Sequence, residues 1–380
     1  MARQIDRIVL QGATPGTRRE VLLRRYGLAG ARPKAYLQAS LHADETPALL
    51  VAYHLARRLD QAQAEGALRG EVVLVPYANP IGLGQFVNGE HLGRYELRGG
   101  GNFNRGWPDL VEPVAAAVAG QLTDSADKNV ALIRAALVAA LAARRARTEM
   151  DHLRLTLARA AIDADLVFDL HCDEESLIYQ FLISAHWPAA QDIAAELGCR
   201  AVLLAEDSGG ASFDETFSTP WTRLAARFPD HPIPAACLAT TVELRGGADV
   251  VDRLAEADAA ALFRGLQRHG VIVGDPGPLP EPRCAATRFD ACDSIKAPAA
   301  GVLSYAVELG DRVRKGDVIA WLIDPATDDP ATARQPLRTV ADGLVLSRRA
   351  HRYTLPGMTI AKVIGTETLP ERQGAYLLDD

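Results

Sequence analysis

Three side chains of the sequence have the types and the placing of metal ligands. His42 and Glu45 are three positions apart in "SLHADETPALL" (40–50), where an apolar run gives way to an apolar helical pattern. His171 ends the apolar run "ADLVFDLH" (164–171) and is followed by acidic residues that a buried strand rarely carries. Two imidazoles and one carboxylate form many catalytic zinc sites, because three protein ligands leave one coordination position for water or substrate. The pattern predicts one zinc ion on these three residues.

Taken alone, His42 and Glu45 would also suit the polar start of a helix. Asp44 or Thr46 could cap a helix that begins near Pro47, and Glu45 would then complement the helix dipole. A histidine on an apolar strand is, likewise, more often a hydrogen-bonded core residue than a ligand. The metal interpretation is favoured because both stretches end apolar runs, and such a ligand set also accepts cobalt, nickel or manganese.

Two acidic residues are candidates for supporting or catalytic roles beside these ligands. Asp169 is two positions before His171, so on a strand it shares a face with that imidazole and can orient it. Glu243 ends the apolar run of "TTVELRGG" (240–247) and is a candidate general base. A surface glutamate paired with Arg245 is the alternative for Glu243.

A glycine-rich loop, "GGGNFNRGWPDL" (99–110), carries a candidate clamp for a substrate carboxylate. It places Asn104 beside Arg105, and a guanidinium offers a two-pronged fork that matches a carboxylate. A solvated loop arginine is the alternative. Arg94 and Arg98, just upstream, are candidates to stabilise an oxyanion, which needs a cation besides the metal.

The elements that must position these residues alternate along the first 280 residues. Apolar runs at 34–40, 70–78, 164–172 and 235–244 are typical of buried strands, and the segments 45–63, about 112–162 and 189–199 have helical periodicity. This alternation predicts an α/β fold with a mostly parallel sheet and helices on both faces. Ligand sites in such sheets form at the carboxyl ends of strands, where the candidate residues lie.

A proline- and glycine-rich stretch at 273–290 ends this pattern, and short β-like runs follow it. We therefore expect two domains, a catalytic domain at 1–285 and a small all-β domain at 286–380. The second domain repeats itself, since 299–323 is echoed by 341–364. Two similar halves packed face to face would form a small barrel-sandwich.

Composition excludes several classes of protein. The chain of 380 residues has a formal net charge of −7 and scattered Lys and Arg residues, which argues against a nucleic-acid partner. No signal-like segment and no long apolar run is present, so we expect a cytoplasmic protein with no membrane partner. The five cysteines form no CxxC pair and are expected to be buried, reduced thiols.

Four motifs, "HADE", "NFNR", "DLH" and "VELRGG", stand in this order between residues 34 and 247. Together they resemble the succinylglutamate desuccinylase/aspartoacylase family, a branch of the zinc carboxypeptidase clan. The region after residue 285 resembles the C-terminal domain of the family's bacterial predicted deacylases. The chain departs from the family's "HGxE" at Ala43 and from "DLNR" at Asn102 and Phe103, and the resemblance does not carry over a particular acyl group.

The resemblance implies a carboxypeptidase-like α/β fold, one zinc ion per chain and hydrolysis of a small N-acyl amino acid. Zinc on the three ligands would activate a water molecule, whose proton Glu243 accepts and later returns to the leaving amine. Arg94, in a "GRY" that resembles the family's pattern, is favoured over Arg98 for the oxyanion. Asn104 and Arg105 would hold the substrate carboxylate.

Two other functions stay open at the level of sequence. A zinc carboxypeptidase acting on peptides would use the same ligands with a more open pocket. A binding or carrier module is suggested by "GDRVRKGDVIAWLI", which resembles biotinyl and lipoyl domains, but the stretch 324–338 has no lysine to modify. We therefore expect an unmodified barrel that either shapes the mouth of the active site or supports a homo-oligomer interface.

Overall fold

The computed structural model describes residues 3–12 and 14–372. Residues 1–2, 13 and 373–380, which fall within the two predicted domains, lie outside the described residues. The strands up to residue 290 are β1 (Gln4–Val9), β2 (Glu20–Tyr26), β3 (Lys34–Ala39), β4 (Glu71–Val75), β5 (Phe86–Val87), β6 (Glu90–His91), β7 (Tyr95–Glu96), β8 (Gly101–Asn102), β9 (Leu166–Asp173), β10 (Glu175–Ser176), β11 (Tyr179–Leu182), β12 (Ala201–Leu204), β13 (Leu238–Gly246) and β14 (Ala286–Arg288). The α-helices are α1 (Pro47–Ala64), α2 (Val111–Val118), α3 (Ala126–Ala142), α4 (Glu149–Ala161), α5 (Gln191–Leu197), α6 (Phe213–Arg227) and α7 (Asp252–Arg268).

A nine-stranded sheet carries this part of the chain, in the order β1-β2-β4-β3-β9-β13-β11-β12-β14. Its pairings from β4 to β13 and from β11 to β14 are parallel. The first two pairings and that of β13 with β11 are antiparallel. The predicted mostly parallel sheet is therefore confirmed. Its antiparallel β1 and β2 edge was not among the predicted strands.

Helices cover both faces of this sheet, as the sequence predicts. Residues of α2, α3, α4 and α6 join one hydrophobic core with side chains such as Tyr36 and Val167. Residues of α1, α5 and α7 join the other core with side chains such as Leu37 and Phe168. Consecutive residues of β3 and of β9 thus face opposite cores, because successive side chains of a strand alternate between faces.

The long alanine-rich segment at about 112–162 is three helices rather than one. The chain leaves α2 at Ala119, and Gly120 takes a φ of 73°. The Ser125 side chain then caps α3 by accepting from the Lys128 amide. Thr148 starts α4 in a capping box with Asp151. Local cap chemistry divides the segment, although alanine alone would favour continuing it.

The C-terminal region forms two antiparallel sheets around a shared apolar core. Its strands are β15 (Cys292–Lys296), β16 (Gly301–Tyr305), β17 (Arg312–Val313), β18 (Val318–Ile323), β19 (Arg334–Arg338), β20 (Gly343–Arg348), β21 (Tyr353–Thr354) and β22 (Thr359–Ile364). The two repeats exchange short strands, because β17 of the first pairs with β20 of the second and β21 of the second pairs with β16 of the first. Neither repeat completes its sheet alone, which gives the predicted all-β sandwich.

The α/β region and the C-terminal β region share strand pairings on both sides of the predicted boundary at residue 286. β14, which begins at residue 286, adds to the edge of the nine-stranded sheet. β10, from the catalytic region, pairs with β20 of the C-terminal region. The division at residue 286 therefore stays a prediction. No helix in the described part of the chain combines the length and apolar composition needed to cross a membrane.

The cysteines are unpaired throughout the described chain. Cys172, Cys199, Cys237 and Cys292 are buried, as expected. Cys284 differs, because it lies in the link before β14 and is partly exposed.

Candidate metal centre and active site

The three predicted ligands lie together at one edge of the large sheet. His42 and Glu45 are in the turn between β3 and α1, and His171 is near the carboxyl end of β9, which pairs in parallel with β3. Ser40 opens the turn with a φ of 56°, and its hydroxyl donates to the backbone oxygen of Glu45 at 2.9 Å. Thr46 makes no side-chain cap to α1. The turn therefore directs the Glu45 carboxylate to the histidines.

The ligand atoms of these residues converge in a buried cluster. His42 Nδ1 lies 2.8 Å from Glu45 Oε1, and His171 Nδ1 lies 2.7 Å from Glu45 Oε2. One ligand atom of each residue lies within 4.8 Å of the others. The residues are only 3%, 9% and 2% exposed. Such a cluster could hold a metal ion.

The second nitrogen of each imidazole lies against an oxygen of another side chain, in a hydrogen bond for His42 and in an ion pair for His171. His42 Nε2 lies 2.8 Å from Asn102 Oδ1, and His171 Nε2 lies 2.8 Å from Asp169 Oδ2. Each ring therefore presents Nδ1 to the common centre while its Nε2 is fixed. This is how histidine ligands are commonly oriented, because a partner on the far nitrogen sets the tautomer and the ring plane. The donor set fits a divalent metal such as zinc.

Electrostatics binds the cluster together. Burial disfavours the charged form of His171, but the Asp169 and Glu45 carboxylates outweigh this effect and raise its pKa well above the ordinary value. Burial also disfavours charged Glu45, yet His171 and His42 hold its pKa well below the ordinary value. The pKa of His42 is lowered, chiefly by burial. Without a metal, the cluster thus keeps its carboxylate ionised.

Glu243 lies on β13 directly beside His171 of β9 and faces the same pocket. Its Oε2 is buried and has no hydrogen-bond partner among the described residues. Burial raises the pKa of Glu243 to about 8, and the Glu45 carboxylate adds to the rise. Arg245, the alternative partner considered for Glu243, pairs with Asp258 instead.

The structure separates the two arginine candidates for the oxyanion. Arg94 lines the pocket, with Nη1 3.3 Å from His42 Nδ1 and 3.4 Å from Glu45 Oε1. Arg98 is exposed and is not among the residues that line the pocket. Its backbone N–H donates to the Glu96 carboxylate in a surface turn.

Asn104 and Arg105 both line the pocket, but their side chains have different surroundings. Asn104 Oδ1 accepts from the backbone of Phe213 at the start of α6, and its Nδ2 lies 3.5 Å from His171 Nε2. The Arg105 side chain lies over Gly210. A Cβ added at Gly210 would lie 2.5 Å from Arg105 Cδ. Arg154 fixes the loop by donating to the Arg105 backbone oxygen at 2.6 Å.

The C-terminal region completes the pocket, which has a volume of about 110 Å³. Lys362 of β22 lines it and forms an ion pair with Asp173 at 2.8 Å. The Tyr179 hydroxyl donates to the same carboxylate oxygen at 2.9 Å. Phe289, just after β14, adds an aromatic wall and stacks edge to face on Phe181.

Comparison with known proteins identifies the family. The model of the succinylglutamate desuccinylase/aspartoacylase catalytic domain matches residues 31–267, which is more than half of the chain. The chain belongs to the succinylglutamate desuccinylase/aspartoacylase family. No protein with a curated description matches it.

Solved structures share the fold over nearly the whole chain. A family protein from Shewanella amazonensis is 25% identical, with 96% of this chain and 98% of that chain covered and a TM-score of 0.83. One from Shewanella frigidimarina is 22% identical, with 96% and 97% covered and a TM-score of 0.83. The product-bound ectoine utilization protein EutE (DoeB) from Ruegeria pomeroyi is 17% identical, with 96% and 95% covered and a TM-score of 0.67. The likeness therefore includes the C-terminal region.

Two contributors to the site were not predicted from the sequence. Asn102 stands in the "NFNR" motif, but its contact with His42 depends on where β8 lies relative to the turn after β3. Lys362 lies in the second repeat, where no local pattern marks a pocket residue. The acidic residues after His171 were the available signal for a basic partner, because one of them, Asp173, forms an ion pair with Lys362.

Proposed function

We propose that this protein is a zinc-dependent hydrolase that cleaves the amide bond of an N-acyl amino acid. The observation that carries the proposal is the convergence of two imidazole Nδ1 atoms and one carboxylate in a buried pocket that also contains Glu243 and Arg105. Membership of the deacylase family supports the same reaction class.

Each side chain has a task that follows from its place. Zinc, when bound, supplies a Lewis acid that activates water and polarises a carbonyl group. Glu243 accepts the proton of the attacking water and returns it to the leaving amine, which its untied Oε2 allows. Arg94 places a guanidinium beside the ligands, where the carbonyl oxygen gains negative charge.

Arg105 receives the carboxylate of the amino acid and so positions the amide. Asn104 keeps its loop against α6 through the Phe213 amide and, through Nδ2, remains within reach of the pocket. The small pocket volume and the wall formed by Phe289 and Lys362 favour a small acyl amino acid over a long peptide.

The first test is metal content. The purified wild type should contain about one zinc per chain by mass spectrometry. His42→Ala and His171→Ala should lose it. His54→Ala is the matched control, because His54 is also buried but pairs with Asp252 on α7. No metal in the wild type after zinc supplementation would contradict the proposal.

The second test is amine release from a panel of N-acetyl, N-succinyl and longer N-acyl amino acids, beside unblocked peptides. The proposal expects hydrolysis of at least one N-acyl amino acid at a higher kcat/KM than any peptide. Faster release of C-terminal residues from peptides would make the protein a carboxypeptidase instead.

A further inference from the structure

A line of fully buried polar side chains leads from the centre of the sheet to His171. Tyr36 and Gln38 are two apart on β3, and Asp169 and His171 are two apart on β9, so all four share one face of the sheet. Gln38 and Asp169 are direct partners in the parallel register of the two strands. Tyr36, Gln38 and Asp169 are all 0% exposed.

The contacts along this line are short and converge on the Asp169 carboxylate. The Tyr36 hydroxyl donates to Gln38 Oε1 at 2.8 Å, and Gln38 Nε2 donates to Asp169 Oδ1 at 2.8 Å. The other oxygen of Asp169 lies 2.8 Å from His171 Nε2. An ionised carboxylate only accepts, so the Gln38 amide must turn its NH₂ group towards Asp169. Its oxygen then needs a donor, which is Tyr36.

We propose that Gln38 and Tyr36 are positioning residues for the metal ligand His171. They act through Asp169, because the hydrogen bond from Gln38 sets the orientation of its carboxylate. With Oδ1 held by Gln38, Oδ2 would stay in its ion pair with His171 Nε2, and Nδ1 would stay directed at the centre of the ligand cluster. This inference rests on the proposed function, because it concerns the ligands of that site.

Packing alone does not explain these residue types. A fully buried strand position between parallel neighbours is normally apolar, and a buried amide contributes only when its hydrogen bonds are made. Gln180 on β11 shows the contrast, since it is also 0% exposed but neither polar atom of its side chain has a partner in the described structure. Gln38 instead connects two specific side chains.

The test is zinc affinity of the full chain, measured by competition with a chromophoric chelator. Gln38→Leu should raise the zinc Kd about 10- to 100-fold, the usual effect of losing a residue that orients a ligand. Tyr36→Phe keeps the volume and the Gln38–Asp169 bond, so it should raise the Kd by less, about three- to tenfold. It also serves if Gln38→Leu fails to fold.

Two matched variants separate positioning from stability. Gln180→Leu removes an equally buried amide, and Tyr26→Phe removes a buried hydroxyl from β2, which two strands separate from β9. Both should leave the zinc Kd within about twofold of the wild type. A positioning role also predicts a smaller zinc-induced rise in Tm for Gln38→Leu, because ligand stabilisation follows affinity.

The outcomes are distinct. A wild type that binds zinc, with unchanged Kd and lowered Tm in folded Gln38→Leu and Tyr36→Phe, would make these residues purely structural and overturn this inference alone. A wild type that binds no zinc would overturn the proposed function and this inference with it.

Discussion

At the scale of single residues, most carboxylates of the pocket accept hydrogen bonds, while the buried Oε2 of Glu243 has no partner among the described residues. The bonded groups accept from histidines, a lysine, a serine hydroxyl and a backbone amide, and they are Glu45, Asp173, Asp214 and Glu215. A group that must take up and release a proton is best left unpaired, so this difference marks Glu243 for proton transfer.

Glu243→Gln should therefore remove turnover while keeping the metal. We expect kcat to fall about 10²- to 10⁴-fold, because general acid–base catalysis contributes this much. Steady-state rates and metal content should be measured on the same preparation. Glu112→Gln is the control, since Glu112 pairs with Arg227 and does not line the pocket. Near-normal activity of Glu243→Gln would remove Glu243 from the mechanism.

Arg105→Ala should discriminate between substrates by their charge. For substrates with a free carboxylate we expect kcat/KM to fall about 10- to 100-fold, the value of a hydrogen bond to a charged group. The corresponding amides or esters should lose much less. Equal losses in both sets, measured side by side, would show that Arg105 does not bind the carboxylate.

At the scale of elements, the sequence is informative where a site lies at the ends of strands. Apolar runs and the polar residues that follow them located His42, His171 and Glu243, because strand ends are marked locally. Asn102 and Lys362 were missed because their places depend on where β8 lies relative to the turn after β3 and on the docking of a distant strand. The split of the alanine-rich segment was missed because the caps at Ser125 and Thr148 outweigh alanine's preference for continuing a helix.

The two repeats of the C-terminal region show the same local requirement at matching glycines. A Cβ at Gly301 would lie 2.7 Å from the backbone oxygen of Ile323, and one at Gly343 would lie 2.1 Å from that of Ile364. Each repeat therefore needs glycine where its first strand passes the end of its last strand. The two repeats are thus alike in this close approach of two backbone segments as well as in sequence.

Gly343→Ala should destabilise the fold. The added methyl group would collide with backbone that cannot move aside easily, so we expect a loss of about 2–4 kcal/mol in the free energy of unfolding. Urea denaturation would measure it. Gly84→Ala is the control, because an added Cβ there meets nothing within 4 Å. Equal midpoints for both variants would contradict the expectation.

At the scale of the whole molecule, the acidic run after His171 holds the C-terminal region against the large sheet. Glu174 pairs with Arg349, and Glu175 pairs with both Arg348 and Arg352. The run continues the strand that bears His171. Docking of the C-terminal region and the shape of the pocket are therefore set by one stretch of chain.

Neutralising this run should loosen the docking. The double variant Glu174→Gln and Glu175→Gln should lose about 1–2 kcal/mol of stability, since partly exposed pairs contribute up to about 1 kcal/mol each. It should also raise KM, because the wall formed by the C-terminal region would be less well held. Thermal unfolding and steady-state kinetics would measure both effects.

The control for this variant is Glu112→Gln, which breaks an exposed pair with Arg227 far from the docking surface. It should change stability by less than about 0.5 kcal/mol. If the double variant kept both the Tm and the KM of the wild type, the acidic run would have no part in docking.

The position of Lys362 on β22 also affects the order in which the parts of the pocket are synthesised. A ribosome that adds about 5–20 residues per second needs about 10–40 s to go from His171 to Lys362. The nascent chain thus carries all three candidate ligands well before the last wall of the pocket exists. During that interval the ligands can meet metal ions from the surrounding solution, before β22 has been synthesised.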